Sequence, residues 1–344
     1  MYYLRFQFLT KFICCTLLLF VSSPSFAKQQ VAPSNPEREA AIKLLDEGKN
    51  TEAIQSFRSY LKNSQHREDA EVWLYLGIAQ YRNNQSNNAK ESLKQAIKFN
   101  PNSDAAHSNY ALVLYAIGKI KDAEKETEQA LQLNSKNSTA IYLRGVLSYS
   151  RGDYYNSLID ADTVLKLTPQ FASAYLLKAQ AILGYYYSNK SKGADLSDSL
   201  KKAFSESASN IEKYLQTAPL HSGADFWRER LTSLRYYTSD QPPSVTCPSI
   251  SDIEGKGTKP EIFYRERAVY TDEARKNRIQ GTITLHAILD IDGRVKNIIP
   301  ISYLDGGLTN QAIQAAQKIR FKPATKNGQP VCIGLFLEYS FHLL

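Results

Sequence analysis

The sequence contains few of the residues that enzymes and metal proteins use for chemistry. Its five histidines, His66, His107, His221, His286 and His342, are scattered and do not show the spacing of metal ligands. It has no phosphate-binding loop, no nucleophile elbow and no dinucleotide-binding glycine motif. We therefore expect no catalytic residue, no metal and no cofactor, and we interpret the chain as a binding protein rather than an enzyme.

Concentrated charge is also absent. The formal net charge is +8, but lysine and arginine are interspersed with aspartate and glutamate along the chain. A protein that follows a nucleic-acid backbone needs its basic residues clustered on one face or stripe. This composition argues against nucleic acid as a partner.

Long apolar runs are missing except near the N-terminus. The apolar run from Ile13 to Val21 follows Arg5 and Lys11 and precedes Ser25-Phe26-Ala27, a small-x-small cleavage pattern. This run is shorter than the roughly 20 apolar residues that cross a bilayer. Residues 1–27 are therefore predicted to be a signal peptide that directs the protein to the periplasm. The alternative is an uncleaved inner-membrane anchor, with the rest of the chain facing the periplasm.

Cysteine is scarce. Four are present, and removal of the signal peptide leaves Cys247 and Cys332. In an oxidising compartment this pair is a disulfide candidate, worth about 4 kcal/mol in the chain-entropy model. The alternative is one buried and one exposed free thiol.

An internal repeat organises the first two thirds of the chain. Trp73, Leu76 and Gly77 form the pattern W-x-x-L-G, and small residues and turn glycines recur with a period of 34 residues. This pattern resembles the tetratricopeptide repeat (TPR), a helix-turn-helix unit of that length. The recurring pairs are Ala89 and Ala123, Ala96 and Ala130, and Gly118 and Gly152.

The repeat predicts an all-α TPR solenoid over residues 34–237. Units start near residue 34, Ala70, Asp104, Ser138 and Ala172, and the fifth contains an insertion at 185–199 that is either an extended loop or a lengthened helix. Glycine at 118 and 152 suits tight turns with positive φ. A last helix, about Gly223 to Tyr237, is expected to cap the stack.

Tyrosines recur on the first helix of successive units. Tyr81, Tyr115 and Tyr149 follow the 34-residue period, with Tyr75 and Tyr142 nearby. One interpretation is an aromatic groove that binds a peptide. The alternative is that these rings pack against the next unit.

Beyond a Ser-, Pro- and Gly-rich linker at 238–262, centred on Pro242-Pro243, the periodicity changes. Thr271 is a candidate helix cap, and an alternating strand from Ile283 to Ile291 leads into the turn Asp292-Gly293. A second strand, a helix from Leu308 and a final strand follow. Residues 263–344 thus predict a small α+β two-layer domain. His286 and His342 are candidates for its open sheet face, and the alternative is that they are solvated surface residues.

The motifs Tyr270–Arg275, Asp292-Gly293-Arg294-Val295 and Arg320-Phe321-Lys322-Pro323-Ala324 resemble the TonB C-terminal domain. The resemblance implies that a segment of an outer-membrane transporter adds as a strand to the last strand of the sheet. Alternatively, this edge dimerises or is covered by the linker. The predicted edge contains Val331, Ile333, Leu335, Leu337, Tyr339 and Phe341.

We interpret the chain as a periplasmic adaptor that binds envelope proteins through its helical groove and by strand addition. The alternative is a TonB-type energy transducer for outer-membrane transport, anchored in the inner membrane. The sequence names no partner.

The N-terminal prediction can be tested by cell fractionation and N-terminal sequencing of the mature protein. Cleavage after Ala27 predicts a chain that starts at Lys28 in the soluble periplasmic fraction. An intact N-terminus embedded in the inner membrane would contradict cleavage and support the transducer.

Overall fold

A computed structural model describes residues 35–190, 196–218, 224–238, 247, 253, 257–304 and 306–343. The predicted signal peptide and Pro242-Pro243 lie outside these residues. The chain divides into two compact units. One contains the repeats up to Ser148 together with Ile159–Ala174, and the other contains Tyr149–Leu158 and the chain from Tyr175 onward. None of the helices described is long and apolar enough to cross a membrane.

Helices in antiparallel pairs form the repeat region, and four of them start at the residues that the 34-residue period predicts. Each unit is a pair of consecutive helices, and the last helix follows the fifth pair. The helices are α1 (Pro36–Asp46), α2 (Asn50–Lys62), α3 (Ala70–Arg82), α4 (Ser86–Phe99), α5 (Asp104–Ala116), α6 (Ile120–Leu133), α7 (Ser138–Ser150), α8 (Tyr154–Leu167), α9 (Ala172–Lys190), α10 (Leu196–Thr217) and α11 (Ala224–Thr238).

Local side chains explain where these helices begin and turn. Asp69 caps α3 by accepting hydrogen bonds from the N–H groups of Glu71 and Val72. Between the two helices of a unit, Gly118 and Gly152 adopt φ values of 78° and 79°, and Asn84 takes a similar conformation one repeat earlier. Glycine and asparagine tolerate this left-handed conformation best, so the period fixes the turns as well as the helices.

The small residues allow close helix packing. Gly77 on α3 lies against Leu93 on α4, and a Cβ at position 77 would be 2.6 Å from Leu93 Cγ. Gln80 stands where the repeat prefers tyrosine. Its buried amide oxygen accepts a hydrogen bond from Ser92 Oγ at 2.7 Å, so the polar group is satisfied inside the unit.

The C-terminal domain contains short strands and two helices. A hairpin turn at Asn327-Gly328, both with positive φ, joins β6 and β7, two of the strands given below. The elements are β1 (Gly257–Thr258), β2 (Glu261–Tyr264), α12 (Asp272–Lys276), β3 (Gly281–Leu289), β4 (Val295–Pro300), α13 (Leu308–Gln317), β5 (Arg320–Lys322), β6 (Ala324–Lys326), β7 (Gln329–Val331) and β8 (Ile333–Phe341).

The central sheet has the antiparallel order β4-β3-β8. Its first face packs on α13 through Leu285, Ala287, Leu337 and Ala312, which belong to one buried cluster. Short strands flank it, with β2 paired to β5 and β1 to β6 and β7. The predicted class, a helical TPR solenoid followed by an α+β domain with antiparallel sheets, is confirmed.

Three details differ from the sequence predictions or refine them. Strands β1 and β2 begin inside the segment assigned to the linker, because their main chains pair with β6 and β5. The strand predicted to reach Ile291 ends at Leu289, so Ile291 lies in the turn and is half exposed. Within the predicted insertion, residues 185–190 continue helix α9 and residues 196–199 begin helix α10, while residues 191–195 lie outside the described part of the chain.

The Gly77 contact generates a stability prediction. Gly77→Ala should lower the free energy of unfolding by about 1 kcal/mol, because overpacking costs roughly 1–3 kcal/mol and alanine regains roughly 1 kcal/mol of helix propensity. Urea denaturation measures the change. Asn87→Ala, at an exposed position on α4, is the control and should change stability by less than about 0.5 kcal/mol. A Gly77→Ala protein as stable as the control would contradict the close packing.

Candidate functional site

The candidate site is the outer edge of β8. Strand β8 pairs with β3 over its whole length, from Gly281 opposite Phe341 to Leu289 opposite Ile333. Within the described part of the chain, no other strand pairs with β8. An edge of this kind presents main-chain N–H and C=O groups that can pair with a further strand.

The hydrogen bonds of Thr284 show which β8 residues face outward. The Thr284 carbonyl accepts from the Ile301 N–H at 2.8 Å, and its own N–H donates to Ser302 Oγ at 2.9 Å, both on the β4 side of β3. Thr284 lies opposite Glu338 in the ladder. Since main-chain groups of an antiparallel ladder alternate in direction, those of Glu338 point away from β3. The outward-facing residues are thus Gly334, Phe336, Glu338 and Ser340.

Two side chains from other elements meet Glu338 at the middle of this edge. The Arg265 guanidinium donates a hydrogen bond to the Glu338 carbonyl oxygen and lies 4.8 Å from the centre of the Tyr339 ring. Tyr187, near the end of α9, donates to Glu338 Oε1 at 2.6 Å. Burial and this hydrogen bond raise the pKa of the Tyr187 hydroxyl, so it stays a donor near neutral pH. The Glu338 backbone and carboxylate therefore have separate partners.

The second face of the central sheet is covered. The side chain of His286, on β3, is 6% exposed, and its ring centre lies 4.9 Å from that of Tyr237 on α11, 5.7 Å from Phe204 on α10 and 5.0 Å from Phe336 on β8. The ring centres of Tyr187 and Phe336 lie 5.7 Å apart. The expectation of an open face with an exposed His286 was wrong, because helices α10 and α11 pack on it within the same compact unit.

Polar contacts reinforce this packing. Arg230 on α11 is 3% exposed, and its Nη1 donates to the Ile298 carbonyl on β4 at 2.7 Å. Its guanidinium also lies 5.1 Å from the centre of the Phe226 ring. The Tyr237 hydroxyl donates to the Asn297 carbonyl at 3.1 Å. Helix α11 was predicted as a cap for the repeats, and it also serves as a support for the sheet.

A disulfide joins Cys247 and Cys332, with 4.9 Å between the two Cα atoms. Cys332 lies between β7 and β8, so the bridge fixes the segment after α11 to the start of the edge strand. Nearby, Ile253 is fully buried against Ala324 and Ile333. The segment called a linker is thereby held at two points.

The structure places the predicted edge residues differently. Val331 belongs to β7 and pairs with Ala324, so it is not part of the β8 edge. Ile333, Leu337, Tyr339 and Phe341 have buried side chains. By the alternation described above, these residues and Leu335 direct their main-chain groups at β3. The strand-addition edge stays a prediction, and the main-chain groups that point away from β3 belong to the intervening residues.

The tyrosines of the predicted groove do not form one surface. Tyr142 is 3% exposed and packs on Phe171 with ring centres 5.0 Å apart, and Tyr149 is 6% exposed and packs on Tyr154 at 5.2 Å. Both are core residues, and the Tyr149 contact lies within its own unit, because Tyr154 is on the second helix of that unit. Tyr75, Tyr81 and Tyr115 are half-buried, and the Tyr75 hydroxyl donates to Glu71 Oε1 at 3.1 Å. A groove of these three residues stays a prediction.

Sequence reasoning missed Arg230, Tyr187 and Arg265. Arg230 interrupts the apolar face of the last helix, which is the available signal, since a charge on such a face needs a partner. The partners of Tyr187 and Arg265 lie far along the chain on β8, and no local pattern indicates them.

Two family models match the chain. Residues 266–343 match the Gram-negative bacterial TonB protein C-terminal domain, and residues 39–175 match the TPR domain of cytochrome c-type biogenesis protein H. The chain is a tetratricopeptide-repeat protein with a TonB-like C-terminal domain. Both kinds of domain mediate protein–protein interactions.

Individual relatives cover parts of the chain. Human sperm-associated antigen 1 is 31% identical over 90 residues, which are 25% of this chain and 10% of that protein, so the chain spans about a tenth of this relative. The human IFIT1 dimer with m7Gppp-AAAA has 18% identity and a TM-score of 0.51 over 60% of this chain and 48% of its own. A thermophilic TPR protein of Thermus thermophilus has 17% identity and a TM-score of 0.44 over 58% of this chain and 96% of its own. At 18% identity the IFIT1 structure shows the helical fold alone.

Docking of α11 on the sheet generates a prediction. Arg230→Ala should lower the free energy of unfolding by about 2–4 kcal/mol, because it leaves the buried Ile298 carbonyl without its donor and opens a cavity. Chemical denaturation measures the loss, and hydrogen exchange should show faster exchange in α11 and β4. Arg228→Ala, an exposed arginine one half-turn earlier that pairs with Asp225, is the control and should cost less than about 1 kcal/mol. Equal effects of the two substitutions would refute the docking role.

Proposed function

We propose that the protein is a non-catalytic periplasmic adaptor that takes an extended segment of a cell-envelope protein as an additional strand on β8. The observation that carries this proposal is the outer edge of β8, whose Gly334, Phe336, Glu338 and Ser340 direct their main-chain groups away from β3. Outer-membrane transporters are the partner class that the TonB-like domain favours.

An incoming strand has to displace one existing contact at this edge. An incoming strand can use the outward N–H and C=O groups of four alternate residues, but the central Glu338 carbonyl already accepts from Arg265. Arg265 is exposed and lies outside any strand, so its side chain can move without breaking the sheet. Among the described residues, no strand pairs with this edge and the Arg265 side chain is displaceable, which favours reversible binding over permanent closure.

The helical repeats supply the second part of the proposed function. TPR arrays bind proteins on the surface formed by the first helices of their units, where Tyr75, Tyr81 and Tyr115 are half-buried. In the adaptor proposal this surface binds another envelope protein. The inner-membrane-anchored energy transducer uses the same β8 edge and differs in its N-terminal segment, so N-terminal sequencing separates the two.

A proline at Ser340 tests strand addition. Proline removes an N–H that points outward and leaves the pairing with β3 intact, a position where edge strands tolerate proline. Ser340→Val removes the same hydroxyl, which contacts Thr282 Oγ1 at 3.0 Å, but keeps the N–H and is the matched control. We expect capture of envelope proteins by Ser340→Val at the wild-type level and at least tenfold weaker capture by Ser340→Pro.

Quantitative mass spectrometry of the captured proteins measures the difference, and circular dichroism checks that both variants are folded. If folded Ser340→Pro retains the same partners at the same level, strand addition at β8 is not how the domain binds.

A further inference from the structure

Glu338 carries an uncompensated charge at the centre of the β8 edge. Its side chain is exposed, and among the described residues no lysine, arginine or histidine forms an ion pair with its carboxylate. The guanidinium of Arg265 donates to the Glu338 carbonyl oxygen instead. The residue opposite on β3 is Thr284, which is neutral and buried. The sheet itself therefore offers this carboxylate no counter-charge.

The carboxylate is nevertheless held in one place. Tyr187 donates to Glu338 Oε1 at 2.6 Å, and the Tyr187 ring lies on Phe336, two residues earlier on the same face of β8. Helix α9, which carries Tyr187, belongs to the repeat region, and its residues from Tyr175 share one compact unit with the sheet. One element thus orients an acidic side chain that another element places on the outer edge.

An added strand brings one of its residues directly opposite Glu338. Cβ atoms of such pairs lie about 4.5–5.5 Å apart, and opposite charges at this distance stabilise the pairing whereas like charges oppose it. Because the Glu338 main-chain groups point outward, the incoming residue is its nearest neighbour on the open side. A lysine or arginine there would reach the carboxylate oxygen that Tyr187 does not bind.

We propose that Glu338, positioned by Tyr187, makes the β8 edge selective for extended segments that carry a lysine or arginine opposite it. This inference rests on the proposed strand addition and names the chemistry of the segment that is bound. The competing role for an exposed charge on an edge strand is to repel other strands in general. That role predicts weaker binding of all segments and no preference among them.

Selection from a phage-displayed library of random peptides tests the preference without knowledge of the natural partner. Peptides selected on the wild-type protein should be enriched in lysine or arginine at one fixed position. Selection on Glu338→Gln should lose that enrichment. Selection on Glu273→Gln, which removes another exposed glutamate of the same domain, should retain it.

A selected peptide then allows a double-substitution measurement. Replacing its basic residue by methionine should weaken binding to the wild-type protein about threefold to fivefold at low salt, and by less at high salt. The same replacement should have no effect on binding to Glu338→Gln. Tyr187→Phe should reduce the preference because it frees the carboxylate, whereas Tyr185→Phe, on the same helix but in contact with Tyr155, should not.

The outcomes separate this inference from the function on which it rests. If Ser340→Pro abolishes peptide binding but the peptides show no preference for a basic residue, strand addition stands and the inference is overturned. If Glu338→Gln binds all peptides more tightly and equally, Glu338 acts as a general guard and the inference is again overturned. Peptide binding that is insensitive to Ser340→Pro overturns both.

Discussion

The central sheet of the C-terminal domain has two apolar faces, and the structure follows from the need to bury both. Every residue of β3 from Ile283 to Leu289 is buried. Strands of antiparallel sheets often have one solvent-exposed face, so burial on both faces is unusual. Helix α13 covers one side, and α10 and α11 cover the other. Arg230, whose charge would oppose such burial, is accepted because its Nη2 pairs with Glu229 Oε1 at 2.8 Å, its Nη1 donates to the Ile298 carbonyl, and its guanidinium lies on an aromatic ring. With both faces covered, the strand edges are what the central sheet offers a partner. On β4 the Asn297 and Ile298 carbonyls accept from Tyr237 and Arg230, and among the described strands β8 pairs with β3 alone.

In this arrangement the last helix, α11, has two structural roles. A solenoid needs a cap for its final repeat, and a small sheet needs a cover for its second face. Helix α11 meets both needs, since it packs on α10 and also on β4. The disulfide from Cys247 to Cys332 and the burial of Ile253 then fix the chain that follows α11 to the start of β8. The edge strand is consequently presented by a supported domain and not by one that hangs on a free tether.

Sequence periodicity predicted the helices well because a 34-residue period determines starts, turns and small residues together. The helices starting at Ala70, Asp104, Ser138 and Ala172 follow from that period, as do the left-handed turns at Gly118 and Gly152. The C-terminal strands followed from alternation and from turn residues. What the sequence did not reveal depends on contacts between distant segments. Tyr149 occupies the same repeat position as the half-buried Tyr81 and Tyr115, yet it packs on Tyr154 and is buried.

The β8 edge shows a related limit. Alternation of apolar residues correctly identified the last strand, but it marks the side chains that face the core. The main-chain groups of those residues pair with β3, and the neighbours between them hold the outward groups. The hydrogen bonds that Thr284 makes toward β4 show which set of β8 main-chain groups faces outward. Those bonds depend in turn on the position of β4 beside β3.

The support that α11 gives to the sheet bears on how this protein can be divided, in the laboratory or in evolution. A boundary drawn at the proline-rich segment would separate His286 from Tyr237 and the Ile298 carbonyl from Arg230. Each fragment would then expose an apolar surface to solvent. The unit that can be inherited or transplanted as a whole is therefore larger than the sequence family suggests, and includes the final helices of the repeat array.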